Sequence, residues 1–289
     1  MLVVTGATGA LGSATVEALL QRVPADQIGV SVRDTAKVAD LAARGVRVRR
    51  GDFGDAGSLA HAFEDADRVL VVSGTTLGPD GVAMHAAAAR AAADAGAERV
   101  FYTAHQNTRA DSPVAFSVDH AATEVALAGL GTPWTSLRNG FYAHTVGWLI
   151  AGAAESGELL LPEDGPISWT AREDLALADA VLLADGPVFD GPTPALTASA
   201  AVTFDDVARI VSDVTGTTVR RTVLADDEWL ARQLDHGVPA AAAQMMLGMF
   251  QGSRAGEFDE VDPLLAELLG REPLPVRAAI ETALAQPSS

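Results

Sequence analysis

The chain has 289 residues, no cysteine, and 38 acidic side chains against 20 Lys and Arg, a formal net charge of −18. That acidity repels nucleic-acid backbones and anionic membrane surfaces, the missing cysteines exclude disulfides and thiolate metal sites, and no uninterrupted apolar run spans a bilayer although 48% of the residues are apolar. The length suits one large core, or a core with a smaller appended lobe.

Met1 leads directly into an apolar strand with no secretory leader, so the expected location is cytoplasmic. That strand, Leu2-Val3-Val4, runs into Thr5-Gly6-Ala7-Thr8-Gly9-Ala10-Leu11-Gly12, and a helix is expected over 13–22. This order describes a dinucleotide grip. Glycines let the backbone turn off the strand and approach a pyrophosphate, while the free N–H groups of the helix N-terminus attract the anion. The spacing G-x-x-G-x-x-G departs from the G-x-G-x-x-G of the dehydrogenase fingerprint.

Further along, strands are predicted at 28–32, 46–49, 68–73, 99–103 and 134–137. They alternate with helices at 35–44, 58–64, 80–95 and 118–128. Alternation with short connections implies an α/β fold, a Rossmann-type doubly wound parallel sheet over residues 1–140. Beyond 140 the rhythm changes. Gly, Pro and acidic residues break up 152–166, a short strand is expected at 167–170 and a helix at 171–183. A strand near 194–197 is expected to rejoin the main sheet. A helix at 204–215, a strand at 218–223 and helices at 227–234, 240–250 and 262–269 follow. Residues 141–289 therefore read mainly as a smaller C-terminal α/β lid lobe that binds substrate.

The end of the second strand bears on which nucleotide binds. An acidic residue there takes the ribose hydroxyls of NAD, whereas an arginine can pair with the 2′-phosphate of NADP. This chain carries Arg33 followed by Lys37, so NADP(H) is the expected cofactor. Asp34 is the competing reading, since its carboxylate can take the ribose hydroxyls. Arg33, Lys37, Arg44, Arg47, Arg49 and Arg50 together form a basic cluster that stands out from the acidic background.

The opening TGATGALG, Val32-Arg33-Asp34 with Lys37, Gly51-Asp52-Phe53, the run Arg138-Asn139-Gly140-Phe141-Tyr142 and the Gly-Arg-x-Pro at 270–273 carry a resemblance. In this order they resemble the NmrA-like branch of the atypical short-chain dehydrogenases, most of all its bacterial type 2 NADPH:quinone oxidoreductases, over nearly the whole chain. The resemblance implies that Gly6, Thr8, Gly9, Leu11 and Gly12 hold the diphosphate, and that Asp52 and Phe53 flank the adenine. It also implies that Ser73 and Gly74 follow the nucleotide, with Thr103 beside the nicotinamide.

Ordinary short-chain dehydrogenases protonate a substrate oxygen with a Tyr-x-x-x-Lys pair. Here the helix after the fifth strand offers His120 and Glu124, on one face by their spacing. Losing a placed proton donor typically costs ~10²–10⁴ in rate for an isolated ketone. A hydroquinone anion is delocalised and far less basic, so hydride transfer to a quinone can rely on proximity.

Asn139, Phe141, Tyr142 and His144 form the expected substrate wall. Asn139 is suited to hydrogen-bond a carbonyl, Phe141 and Tyr142 to pack on a flat ring, and His144 to donate a proton if it faces the pocket. Trp169, Met245, Met246 and Phe250 are the apolar candidates from the lid side, although such residues at helical spacing are commonly core. Asn139, Tyr142 and His120 are the catalytic candidates, with a plain helix-surface histidine as the other reading of His120. His61, His85 and His236 read as structural or exposed, and no histidine pair has metal-ligand spacing.

The sequence thus points to an oxidoreductase acting on quinones or similar electron-poor carbonyl compounds, as a monomer or homodimer. The alternative is a non-catalytic NADP(H)-binding redox sensor.

Overall fold

The computed structural model describes residues 1–285. Its main sheet uses β1 (Leu2–Thr5), β2 (Ile28–Val32), β3 (Arg47–Arg50), β4 (Arg68–Val71), β5 (Arg99–His105) and β6 (Trp134–Asn139). After β7 (Glu158–Pro162), which lies outside this sheet, β8 (Gly191–Pro192) completes it. The seven strands run in the order β3-β2-β1-β4-β5-β6-β8, every pair parallel. The order reverses between β1 and β4, the place where a doubly wound sheet opens a ligand crevice at its carboxyl edge.

Helices cover both faces because side chains alternate along each strand. Val4, Leu70, Phe101 and Leu137 point into a core shared with α1 (Ala10–Leu19). Val3, Val69, Val71, Val100 and Tyr102 point the other way, onto residues of α3 (Ala56–Phe63) and α4 (Pro79–Asp94), the former preceded by the short α2 (Ala39–Ala43). Leu127 of α5 (Ala115–Ala128) joins this second layer.

After β6 come α6 (Val146–Leu149) and α7 (Ala153–Ser156), then α8 (Arg172–Ala184), α9 (Phe204–Thr215), β9 (Arg220–Leu224), α10 (Asp226–Asp235), α11 (Ala240–Arg254), α12 (Leu264–Leu269) and α13 (Val276–Ala285). Leu175, Leu182 and Leu183 of α8 and Leu264 and Leu265 of α12 join the core that contains α1. A separate core gathers Trp169, Phe204, Trp229, Phe250 and Phe258 under α6, α9, α11 and α13.

Three expectations are corrected beyond residue 140. The 152–166 stretch contains α7 and β7, and β7 pairs in parallel with β9 as a two-stranded sheet. Residues 167–170 make only isolated bridges, Ile167 to Val202 and Thr170 to Tyr142, and are no strand. The edge strand falls at Gly191–Pro192, with Leu196 adding a single bridge to Asn139. Among the described residues no helix is long and apolar enough to cross a membrane.

The Gly-Arg-x-Pro run has a structural role. Asp174, fully buried in the first turn of α8, accepts hydrogen bonds from Arg271 Nη2 at 2.5 Å and the Leu274 amide at 2.6 Å. This pairing ties the segment between α12 and α13 to the α8 N-terminus.

Candidate dinucleotide and acceptor site

At the end of β1 the chain turns through Gly6, whose φ of +64° lies in the left-handed region that glycine occupies without a steric penalty. The Gly9 amide closes the turn by donating to the Gly6 carbonyl at 2.8 Å. Gly12 sits directly beneath it: a Cβ there would lie 2.8 Å from the Gly6 carbonyl carbon. Helix α1 begins at Ala10, earlier than the expected 13, with neither a side-chain cap nor an acidic residue in its first turn. Its first N–H groups are therefore left for an anion. Thr8 and Gly9 are exposed beside them, whereas the Leu11 side chain is buried, so only its amide can serve a ligand.

Neighbouring strand ends are stitched together at the same edge. The Val72 amide donates to Thr5 Oγ1 at 2.9 Å, and the Ser73 amide donates to Thr103 Oγ1 at 2.8 Å. Ser73 Oγ lies 3.0 Å from the same Thr103 oxygen. Nearby, Asp52 accepts from the Gly54 amide, and Phe53 meets the His85 ring edge-on at 6.3 Å.

The basic cluster separates into structural and free members. Arg44 forks onto Glu17, Arg49 pairs with Glu64 and Arg50 with Asp55, while Arg47 donates to the carbonyls of Glu64 and Ala62. Asp34 is likewise occupied, accepting from the Ala36 amide at 3.1 Å as the cap of the 3₁₀ turn Thr35–Val38. Arg33 and Lys37 are exposed and make no ion pair or side-chain hydrogen bond among the described residues. Lys37 lines a cavity of about 370 Å³ with Thr8 and Ser13, which places its charge beside the glycine loop.

On the acceptor side, Gln106 shapes the turn after β6. Its amide donates to the Asn139 carbonyl at 2.8 Å, and its Oε1 accepts from the Phe141 amide at 3.0 Å. Phe141 is thereby presented to His105, Phe258 and Trp169, with ring centroids 5.4, 5.1 and 5.2 Å away. Phe116 stacks against the other side of His105 at 4.9 Å. Burial among these rings pushes the His105 imidazole down to about 3, helped by His120 nearby, so it is neutral.

Several expected wall residues take other roles. Trp169 is 1% exposed and packs edge-on against Phe141 and Phe204, so it backs the wall instead of facing the crevice. Phe250 is core, Met246 packs against the same core and Met245 is exposed. His144 faces Arg172 Nη2 at 2.5 Å and lines a cavity of about 690 Å³ whose wall includes none of the glycine loop, Ser73, Thr103 or His120. Burial and the Arg172 guanidinium push its ring down to about 4, which makes it neutral and unsuited to the expected proton donation at the crevice.

Asn139 is 1% exposed and lies close to both Asp179 of α8 and Tyr142, yet neither its amide nor the Asp179 carboxyl closes a hydrogen bond. Burial pushes Asp179 up to about 8, the Asn139 amide lowering it only in part, and pushes the Tyr142 phenol up to about 12. Asp179 is therefore protonated at neutral pH. In the unfolded chain it ionises in the usual range near pH 4. Unfolding consequently releases a proton between about pH 4 and 8, and stability falls as pH rises through that window, by up to about 1.4 kcal/mol per pH unit. Below the window both states are protonated and the penalty vanishes. The Asp179→Asn variant is expected to flatten this slope, as compared by denaturant midpoints at about pH 5 and about pH 8. An unchanged slope would mean that Asp179 is ionised in the folded protein.

His120 and Glu124 share a face of α5 but not a partnership. Glu124 takes a two-pronged ion pair from Arg138, at 2.9 and 3.2 Å, which joins α5 to β6. His120 Nδ1 instead lies 2.7 Å from the Tyr102 hydroxyl, and burial pushes its ring down to about 3. His85 proves to be buried, its Nε2 accepting from the Gly74 amide at 2.8 Å and its Nδ1 3.3 Å from the same hydroxyl. His85, Tyr102, His105, Gln106 and Asp179 were not singled out from sequence. Only Asp179 leaves a usable signal there, as an acid among Leu175, Ala176, Leu182 and Leu183 on the apolar face of a helix.

The fold and the grip define a class: a doubly wound α/β protein with a Rossmann-type nucleotide loop at the carboxyl edge of its sheet. The sequence profile of the NmrA-like family matches residues 1–282, and the chain belongs to that family. Quinone oxidoreductase 2 of Escherichia coli is 32% identical over 274 residues, 93% of this chain and 94% of that protein. An NAD(P)H azoreductase of Xenophilus azovorans is 30% identical over 248 residues, 85% of each. Among solved structures, the E. coli NADPH-dependent quinone oxidoreductase complexed with NADPH superposes with a TM-score of 0.92 at 29% identity, covering 98% of this chain and 100% of that one. Citrobacter sp. triphenylmethane reductase complexed with NADP(H) gives 0.91 at 30% identity, with the same coverage.

Proposed function

We propose that this protein is an NADPH-dependent oxidoreductase that transfers a hydride to quinones or similarly electron-poor conjugated acceptors. The observation that carries the cofactor assignment is the sorting of charges around the loop. Of six clustered basic side chains, only Arg33 and Lys37 are uncommitted among the described residues, which supports their pairing with a 2′-phosphate. The uncapped N-terminus of α1 and the close packing of Gly12 fit the diphosphate of the same group. NADPH held there supplies a hydride from its nicotinamide ring.

The chain's own residues do the rest. Gly6, Thr8, Gly9 and the first amides of α1 bind the diphosphate. Ser73 and Thr103 line the approach to the nicotinamide end, and Asp52 and Phe53 border the adenine. Phe141 and Phe116, half-buried around His105 with Phe258 packed behind them, exclude water and offer apolar faces to a flat acceptor. The second core, from α6 to α13, acts as the lid. Asn139 and Tyr142 serve through their place behind this wall, and His120 is the polar group available to an acceptor oxygen.

With Glu124 committed to Arg138, the α5 face holds no strong general acid, which favours acceptors whose reduced form is weakly basic. Azo and triphenylmethane dyes are likewise electron-poor conjugated acceptors, in keeping with the names of the relatives above. The test is NADPH consumption with benzoquinones and naphthoquinones beside simple aliphatic ketones. Quinone turnover is expected to exceed ketone turnover by about 10²–10⁴; equal rates, or ketone preference, would contradict the assignment.

A further inference from the structure

We propose that Tyr102 and His85 are positioning residues that lock His120 in a single neutral tautomer, with its Nε2–H held as a hydrogen-bond donor at the crevice. The tautomer follows from the hydrogen bonds among neutral groups; what the donor meets rests on the oxidoreductase reading above.

The lock begins at a backbone amide. The Gly74 N–H can only donate, and it points at His85 Nε2 at 2.8 Å, so that nitrogen carries no proton. A neutral His85 ring must then carry its proton on Nδ1, which faces the Tyr102 hydroxyl oxygen at 3.3 Å and donates to it. Tyr102 cannot return its proton to an already protonated nitrogen, so it donates to His120 Nδ1 at 2.7 Å. His120 Nδ1 is thus an acceptor, and the ring proton resides on Nε2.

Burial keeps every member neutral. Tyr102 is fully buried and its phenol is pushed up, while His85 is pushed down by burial against a smaller opposing pull from Asp119. Asp119 is itself engaged, accepting from the Gly78 amide at 2.7 Å, and Glu124 is held by Arg138. His105, the other titratable ring near His120, is neutral. His120 Nε2 has no hydrogen-bond partner among the described residues, nor is it among the sealed, unpartnered polar atoms. It is free to meet a ligand.

The chain of bonds has a direction. Because it starts at a peptide N–H, it cannot draw a proton from beyond His85, so its effect is to aim a donor and not to conduct protons. Two neighbouring helices of one layer, α4 with His85 and α5 with His120, are thereby joined through one residue of β5.

The chain has six histidines, so the imidazole nitrogens can be resolved individually by two-bond ¹H–¹⁵N correlation on ¹⁵N-histidine-labelled full-length protein, with and without NADP⁺. His85→Gln and His120→Gln identify the two signals. The expected pattern is a pure Nε2–H form for His120 and a pure Nδ1–H form for His85. Tyr102→Phe should release His120 into a tautomer mixture while His85, still held by Gly74, keeps its form.

In turnover with a naphthoquinone, Tyr102→Phe should lower kcat about tenfold with NADPH affinity unchanged, and should cost nothing further on a His120→Ala background. His120→Gln, which retains a neutral N–H donor, should keep more activity than His120→Ala. A Nδ1–H or mixed His120 in the native protein, or a tautomer indifferent to Tyr102→Phe, would overturn the lock. The expected nitrogen pattern without any quinone turnover would uphold the lock and remove the acceptor reading instead.

Discussion

Gly12→Val is expected to weaken dinucleotide binding by on the order of 100-fold while leaving the sheet folded. The reason is local. A Cβ at residue 12 meets the carbonyl of Gly6, and Thr5 lies just behind it at 3.1 Å, so the added atoms must push the loop off the helix. That displacement moves the Gly6–Gly9 turn away from the uncapped N–H groups of the first turn of α1. The valine also overpacks a tight site, at a cost of about 1–3 kcal/mol, which the core around β1 can absorb. Binding followed by NADPH fluorescence, with circular dichroism as the control for folding, separates the two effects. A folded variant that retains native affinity would show that the diphosphate lies elsewhere.

Removal of Arg33 and Lys37 should instead change selectivity. Each would contribute a charge-assisted hydrogen bond to a 2′-phosphate, a contribution of about 1.5–3 kcal/mol, so each single Ala substitution is expected to weaken NADPH binding by about 10–100-fold and leave NADH binding unchanged. The double variant should bind both nucleotides with similar affinity. Asp34, whose Oδ1 caps the 3₁₀ turn by accepting from the Ala36 amide, is unchanged in these variants, so the losses report on the two cations alone. Parallel titrations with NADPH and NADH check this, and equal losses for both would assign the two charges another role. Arg44→Ala is the matched control: it removes a charge from the same cluster, but one already paired with Glu17, and NADPH affinity should be untouched.

The first half of the chain could be read closely because each element there is specified locally. The 28–32 strand was placed residue for residue, and the other strands of the main sheet up to β6 within a few residues, since buried parallel strands are short apolar runs between turn signals. The 204–215 helix is equally legible, and the structure starts it with a capping box in which Thr203 and Asp206 bond reciprocally.

β7 escaped because its partner, β9, lies about sixty residues away and its flanks, Gly157 and Pro162, resemble loop punctuation. The α13 helix goes unread although Pro275 precedes a run of helix formers with apolar Val276 and Ile280 four apart, and the 167–170 segment is held by isolated bridges to other parts of the chain. For the site, types were easier than partners. Helical spacing places His120 and Glu124 on one face, but Glu124's partner is Arg138, across on β6. Tyr102 carries no sequence reading and His85 only that of a structural or exposed histidine, since the bonds that link them to His120 run between three elements. Spacing along one helix cannot report what a neighbouring strand offers.

The chemistry follows from what this edge of the sheet lacks as much as from what it holds. A neutral His120 and a neutral His105, with Glu124 committed to Arg138, leave the α5 side of the crevice without a strong proton source at neutral pH. Acceptors that stabilise negative charge internally are the ones such a site can reduce quickly.

The most direct test of the account is an anaerobic single turnover: NADPH bound to the full-length protein is mixed with a naphthoquinone, and both NADPH loss and hydroquinone formation are followed. One hydroquinone per NADPH consumed is expected, at a rate that saturates with quinone and is lost in Gly12→Val at NADPH concentrations that just saturate the native protein. NADPH that binds yet is oxidised no faster than in free solution would contradict it.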